Sequence, residues 1–117
     1  MTIAIFDRRT VLRDALKLVF SSFKNINVVS ENDNIYSTLT CVQKEHPDVI
    51  LIDPALFGNQ LIHFIHVIMK FNPSTKFVLL PASDDEQYYP ADDNNSNVVV
   101  LNAKDGMDKV VRIVNRC

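Results

Sequence analysis

The run Pro47-Asp48-Val49-Ile50-Leu51-Ile52-Asp53 constrains the fold more than any other stretch of the chain. Its apolar core offers no polar face, so it reads as a short strand buried on both sides. Such a strand needs a covering layer above and below. It ends abruptly in a carboxylate. In open parallel α/β sheets that carboxyl edge is where ligands bind, so Asp53 sits where a functional acid would sit.

The flanking sequence supplies the covering layers. Residues 3–6 and 26–29 read as short strands. Between them, residues 9–23 place Val11, Leu12, Ala15, Leu16, Val19 and Phe20 at helical spacing. Residues 34–45 form a weaker amphipathic pattern with Ile35, Leu39 and Val42 inward, closed by His46-Pro47. Residues 60–71 give a strongly apolar helix through Leu61, Ile62, Phe64, Ile65, Ile68 and Met69, ended by Asn72-Pro73-Ser74. Strands over 76–80 and 98–101 and a helix over 107–115 complete the pattern. The stretch from Asp84 to Asn97 is mostly polar and carries Pro90, which predicts a short, shifted or frayed helix there. Strands and helices alternating with short connections predict one α/β domain over 1–117. Its architecture is a flavodoxin-like three-layer (βα)5 fold with a parallel five-stranded sheet in the order 2-1-3-4-5.

Composition narrows the function. A chain of 117 residues holds one domain with a real core. The net charge of -2 gives no phosphate-binding surface of the nucleic-acid kind. Cys41 and Cys117 have no metal-type spacing and form no disulfide framework, so a cytoplasmic setting is expected. The N-terminus lacks the basic region of a signal peptide, and no apolar run approaches the roughly 20 residues that span a bilayer. No glycine-rich loop follows the first strand to cradle a phosphate, which argues against a flavin enzyme on this fold.

With its segments in this order, the chain resembles the receiver domain of two-component response regulators, in the branch that usually precedes a LuxR-type DNA-binding domain. The resemblance spans essentially the whole chain. Its firmest stretches are 3–16, 46–53 and 72–86, including Glu45-His46-Pro47-Asp48-Val49 and Leu79-Leu80-Pro81-Ala82-Ser83-Asp84-Asp85. It implies that Asp53 is the phosphoacceptor position. It also implies a Mg²⁺ site built from two adjacent acids after the first strand, the acceptor and a backbone carbonyl. Here those are Asp7, Asp53 and the Ala55 carbonyl, but Arg8 stands in the second acid's place. A guanidinium repels a metal ion and cannot ligate one.

Other positions that the resemblance points to have also changed. Pro81 replaces a hydroxyl residue after the fourth strand. Val100 replaces an aromatic switch residue. Ala103 takes the place of a phosphoryl-pairing lysine, with Lys104 one residue late and facing away unless the backbone bulges. Pro54 and Phe57 depart from the usual loop after the acceptor, although Gly58 remains. The pattern resembles an atypical or pseudo-receiver. That implies a phosphorylation-independent, non-enzymatic regulatory and dimerisation module of a bacterial transcription regulator, with no cofactor. The alternative is a conventional receiver that uses Mg²⁺ and accepts phosphate on Asp53 in a phosphorelay.

Two courses are open to Arg8: a bidentate pair with Asp53 or Asp7 that acts as a built-in cation, or a solvated side chain. His63 and His66, at i and i+3, read as solvent-facing residues, since no acid or cysteine nearby completes a metal site. Cys41 reads as a half-buried helix residue. Ser83 reads as a helix cap ahead of the acids Asp84, Asp85 and Glu86, and at most one of Tyr88 and Tyr89 faces a core. The expected partner is a second copy or another response regulator. The expected contact uses Arg9, Arg13 and Lys17 on the helix over 9–23 and Lys109 and Arg112 on the helix over 107–115; the competing reading is a solvated charged face. DNA is expected to be met only through a domain beyond Cys117, and no membrane is expected.

Overall fold

A computed structural model describes residues 1–83 and 97–117. Strands β1 (Thr2–Phe6), β2 (Asn27–Asn32), β3 (Val49–Ile52), β4 (Lys76–Leu79) and β5 (Val98–Val100) form one sheet in the order β2-β1-β3-β4-β5. Every pairing is parallel. The predicted topology is therefore observed. The expectations for residues 84–96, namely the short fourth helix at Pro90, the acid run and the tyrosine pair, lie outside the described residues.

The central strands are buried on both faces, as their unbroken apolar sequence requires. Ala4, Phe6, Ile50, Ile52, Phe77 and Leu79 face one layer, with Val42, Leu61, Ile65 and Ile68. Ile3, Ile5, Val49, Leu51 and Val78 face the other, with Leu16, Phe20, Val110 and Val114. One layer thus holds α1 (Thr10–Phe20) and α5 (Met107–Asn115). The other holds α2 (Ile35–Glu45), α3 (Pro54–Phe57) and α4 (Leu61–Phe71). Truncating a fully buried aromatic such as Phe77 to alanine costs about 3–5 kcal/mol.

Several boundaries differ from the sequence reading. Helix α1 stops at Phe20, short of residue 23, because the Ser21 and Ser22 hydroxyls donate to the Leu18 and Val19 carbonyls and satisfy its end. Val11 was expected inward but is exposed, since the buried stripe runs through Leu16 and Phe20. Strand β2 continues through the polar residues Ser30, Glu31 and Asn32, which an edge strand tolerates, and a register shift opposite Ile3 and Ala4 bulges it. In α2, capped by the Asn34 side chain, Leu39 lies at the surface and Thr38 and Cys41 are buried instead. His46 adopts a left-handed conformation that ends the helix before Pro47.

The segment after Asp53 is more ordered than a loop. Pro54 sits in the first turn of α3, where a missing N–H costs nothing, and the Asp53 carboxylate caps that turn. Gly58 has φ 56°, a conformation that a side chain would strain, and leads through a 3₁₀ turn (Gly58–Gln60) into α4.

Candidate functional site

The register fixes the site. Phe6 pairs Ile52, and Ile52 pairs Leu79, so β1, β3 and β4 end level with one another. The next residues, Asp7, Asp53 and Leu80, therefore meet at one edge. The strand order reverses between β1 and β3, the position where open α/β sheets place their sites.

Both acids are buried, and each meets an arginine. Asp53 is 0% exposed, whereas Arg8 keeps half its side-chain surface. One Asp53 oxygen accepts the Arg8 Nε–H at 2.7 Å and the Arg8 backbone N–H at 3.4 Å. The other accepts Arg8 Nη2 at 3.4 Å and the Ala55 backbone N–H at 3.1 Å. Of the two courses open to Arg8, the side chain takes the paired one, with Asp53. Planar, two-point recognition of a carboxylate is what a guanidinium does well and an ammonium does not.

Asp7 is engaged just as fully. Its Oδ1 accepts the Arg9 backbone N–H and Nε–H, both at 2.8 Å, and its Oδ2 accepts Arg9 Nη2 at 2.7 Å. The same Nη2 donates to the Leu80 carbonyl at 2.7 Å, linking the ends of β1 and β4. The hydrogen bonds to Asp7 hold the Arg9 guanidinium above its ordinary pKa, against the opposing effect of its partial burial. Arg13 Nη1 donates to the Asp7 carbonyl at 2.6 Å, and its Nε faces Glu31 at 3.8 Å, too long for a hydrogen bond. Lys17 donates to Glu31 at 2.8 Å, and this bond raises the ammonium's pKa. Arg9 and Arg13 were expected on an exposed charged face. That placement is corrected: both turn toward the acid edge because the buried Asp7 carboxylate and carbonyl need donors.

This donor set does not fit a hard divalent cation. Mg²⁺ takes several oxygens in near-octahedral geometry. Here the oxygens of Asp7 and Asp53 already accept the N–H groups of two arginines. Among the described residues no cluster of three metal-ligating side chains occurs, and His63 and His66 are exposed.

The remaining positions lie along the same edge. Pro81 follows Leu80 and is partly exposed, Val100 is exposed, and Ala103 is partly buried. Lys104 is exposed and forms no ion pair among the described residues. On α5, Arg112 is exposed, while Lys109 pairs with Asp105 at 3.3 Å. The Arg9 contact with Asp7 and Leu80 escaped the sequence reading. Its one signal was a second arginine directly after Arg8.

Solved structures share this architecture. The signal receiver domain of the putative response regulator NarL from Mycobacterium tuberculosis superposes with a TM-score of 0.74, covering 99% of this chain and 94% of that one at 21% identity. The fold is that of a response-regulator receiver domain. A two-component transcriptional regulator AraC from Clostridium phytofermentans ISDg shares the fold, with a TM-score of 0.74 at 16% identity over 99% of this chain and 90% of that one. RcsB from Salmonella enterica serovar Typhimurium, bound to promoter rprA with the phosphomimetic BeF3-, gives 0.73 at 15% identity. That match covers 99% of this chain and 59% of RcsB. In sequence, the chain is 32% identical over 94 residues to the uncharacterized transcriptional regulatory protein YhcZ of Bacillus subtilis (strain 168), spanning 78% of this chain and 43% of that protein. The chain thus spans about half the length of these longer relatives. No family model matches it. No helix among the described residues is long and apolar enough to cross a membrane.

Proposed function

We propose that this receiver is a regulatory module of a bacterial transcription regulator that acts by protein–protein contact and does not depend on phosphorylation of Asp53. The observation that carries this reading is the two-point contact of Arg8 on the buried Asp53 carboxylate. Phosphoryl transfer to an aspartate needs a free carboxylate oxygen and a divalent ion to offset charge on the transferring group. Here a tethered guanidinium occupies the oxygens and the second acid is gone. Pro81 offers no hydroxyl, and Ala103 no ammonium, to the transferring group.

Dimerisation with a second copy or another response regulator follows from the same reading. DNA is met through a segment outside this domain, as the relationship to YhcZ and the promoter-bound RcsB suggests. The contact surface proposed is the layer of α1 and α5. With Arg9 and Arg13 turned inward, its exposed residues include Val11, Leu18 and Arg112, with Lys17 and Lys109 partly exposed.

Intact mass after incubation with acetyl phosphate and Mg²⁺, beside an Asp53→Ala control, tests the proposal. The expected result is no phosphoryl adduct in a folded sample. An adduct that vanishes in the control would establish the competing reading, a phosphoaccepting receiver in which Arg8 swings aside.

A further inference from the structure

The Asp7 side of the edge carries its own cation. Arg9 places Nε and Nη2 on the two oxygens of Asp7 at 2.8 and 2.7 Å, and its backbone N–H adds a third bond. Nη2 also reaches the Leu80 carbonyl, so the side chain is anchored at both ends of its fork. Asp7 is 1% exposed, which leaves water little access to compete.

We propose that Arg9 is a second built-in cation, which closes the Asp7 half of the site to a metal ion while Arg8 closes the Asp53 half. This deepens the proposed function and rests on its reading of Arg8. A guanidinium stays charged at every pH at which a protein folds, so neither half opens by titration of the arginine. Mg²⁺ needs direct oxygen ligands at about 2.0–2.1 Å, and a bidentate Arg–carboxylate pair leaves Asp7 no oxygen free of a donor. Restoring the second acid alone therefore leaves one of three carboxylates blocked. Arg9 is a positioning residue in the same geometry, since its bridge from Asp7 to Leu80 ties the end of β4 to the end of β1 across β3.

Titration calorimetry with MgCl2 separates the two arginines. Three proteins are compared: the wild type, Arg8→Asp, and the double variant Arg8→Asp/Arg9→Gln. The double variant is expected to bind Mg²⁺ at least about tenfold more tightly than Arg8→Asp, with no binding by the wild type. Equal affinities in the two variants would overturn the role given to Arg9, and so would a folded double variant that binds nothing. The double variant gathers three acids with few donors, so its thermal unfolding is followed with and without metal. A roughly hundredfold excess of Mg²⁺ over Kd is expected to raise its Tm by about 10 °C. A double variant that stays unfolded at every Mg²⁺ concentration also counts against the proposal. The reading of Arg8 fails on a different result, a Mg²⁺-dependent phosphoryl adduct on wild-type Asp53.

Discussion

Arg8 and Asp53, 45 residues apart in sequence, meet at the carboxyl edge of the sheet with Nε 2.7 Å from one carboxylate oxygen and Nη2 3.4 Å from the other. The pair is lopsided, because the acid is buried and half of the guanidinium remains at the surface. A cation is thereby attached to the chain next to β1, beside the buried acid. Its removal exposes what it compensates.

Arg8→Ala leaves the Asp53 carboxylate with backbone donors only. Deleting one partner of a fully buried pair costs about 3–5 kcal/mol; water reaching the vacated surface lowers this to about 1–3 kcal/mol here. Arg8→Lys restores a point charge but not the fork, so it recovers part of the loss. Urea unfolding at constant slope measures both. A cost below about 0.5 kcal/mol would place this contact among ordinary surface ion pairs.

Asp7→Asn should cost more, about 2–4 kcal/mol, because Asp7 takes three N–H donors from Arg9 and sits beside a partner that is itself mostly covered. An amide can satisfy the donors at Oδ1 but turns its own NH2 against the other arm of the guanidinium. Comparison of urea midpoints for Asp7→Asn and Arg8→Ala checks the order. A smaller loss for Asp7→Asn would mean that the Arg9 fork contributes little.

The sheet was legible in the sequence because its signals are local. Val49-Ile50-Leu51-Ile52 has no polar face, and a segment of that kind has few places to go other than the centre of a covered sheet. The edge acids were legible for the same reason, since each follows directly on a buried strand. What escaped was side-chain direction at helix starts. Arg9 and Arg13 carry the same charge as Lys17, and nothing in their spacing says that they turn toward Asp7. That choice is made by burial of Asp7, a consequence of the register between β1 and β3. Val11 misled for a different reason: it lies on the opposite face of α1 from the buried Leu16 and Phe20, on the side of the exposed Leu18, while its neighbour Leu12 packs on the core.

Asp105 gives the fold a measurable acid dependence. The Asn102 backbone N–H, and after it Lys109, hold its carboxyl below the usual carboxylate range. A folded-state pKa below the unfolded one adds stability above the unfolded value and loses it as pH falls through the folded value. Asp105→Asn is therefore expected to lower stability at about pH 7, with the difference from wild type shrinking at an acid pH below the folded value. Urea midpoints at the two pH values decide this, and a penalty equal at both would assign the effect to hydrogen-bond shape instead of charge.

Val11 and Leu18 form the exposed apolar line of α1, at 83% and 74% exposure. They stand seven residues apart, two helical turns or roughly 10 Å along one face, with Asp14 between them at the surface. Neither side chain contributes to the buried core, so Leu18→Glu should change stability by no more than about 0.5 kcal/mol. If α1 forms the contact between two copies, the same substitution removes an apolar side chain and adds a second carboxylate beside Asp14 at the closing face, and should abolish self-association. Sedimentation velocity over a concentration series reads both proteins. Loss of the dimer in Leu18→Glu, with unfolding unchanged, supports contact through α1. A wild type that stays monomeric at the highest concentration removes the homodimer. A dimer that survives the substitution moves the interface off this face.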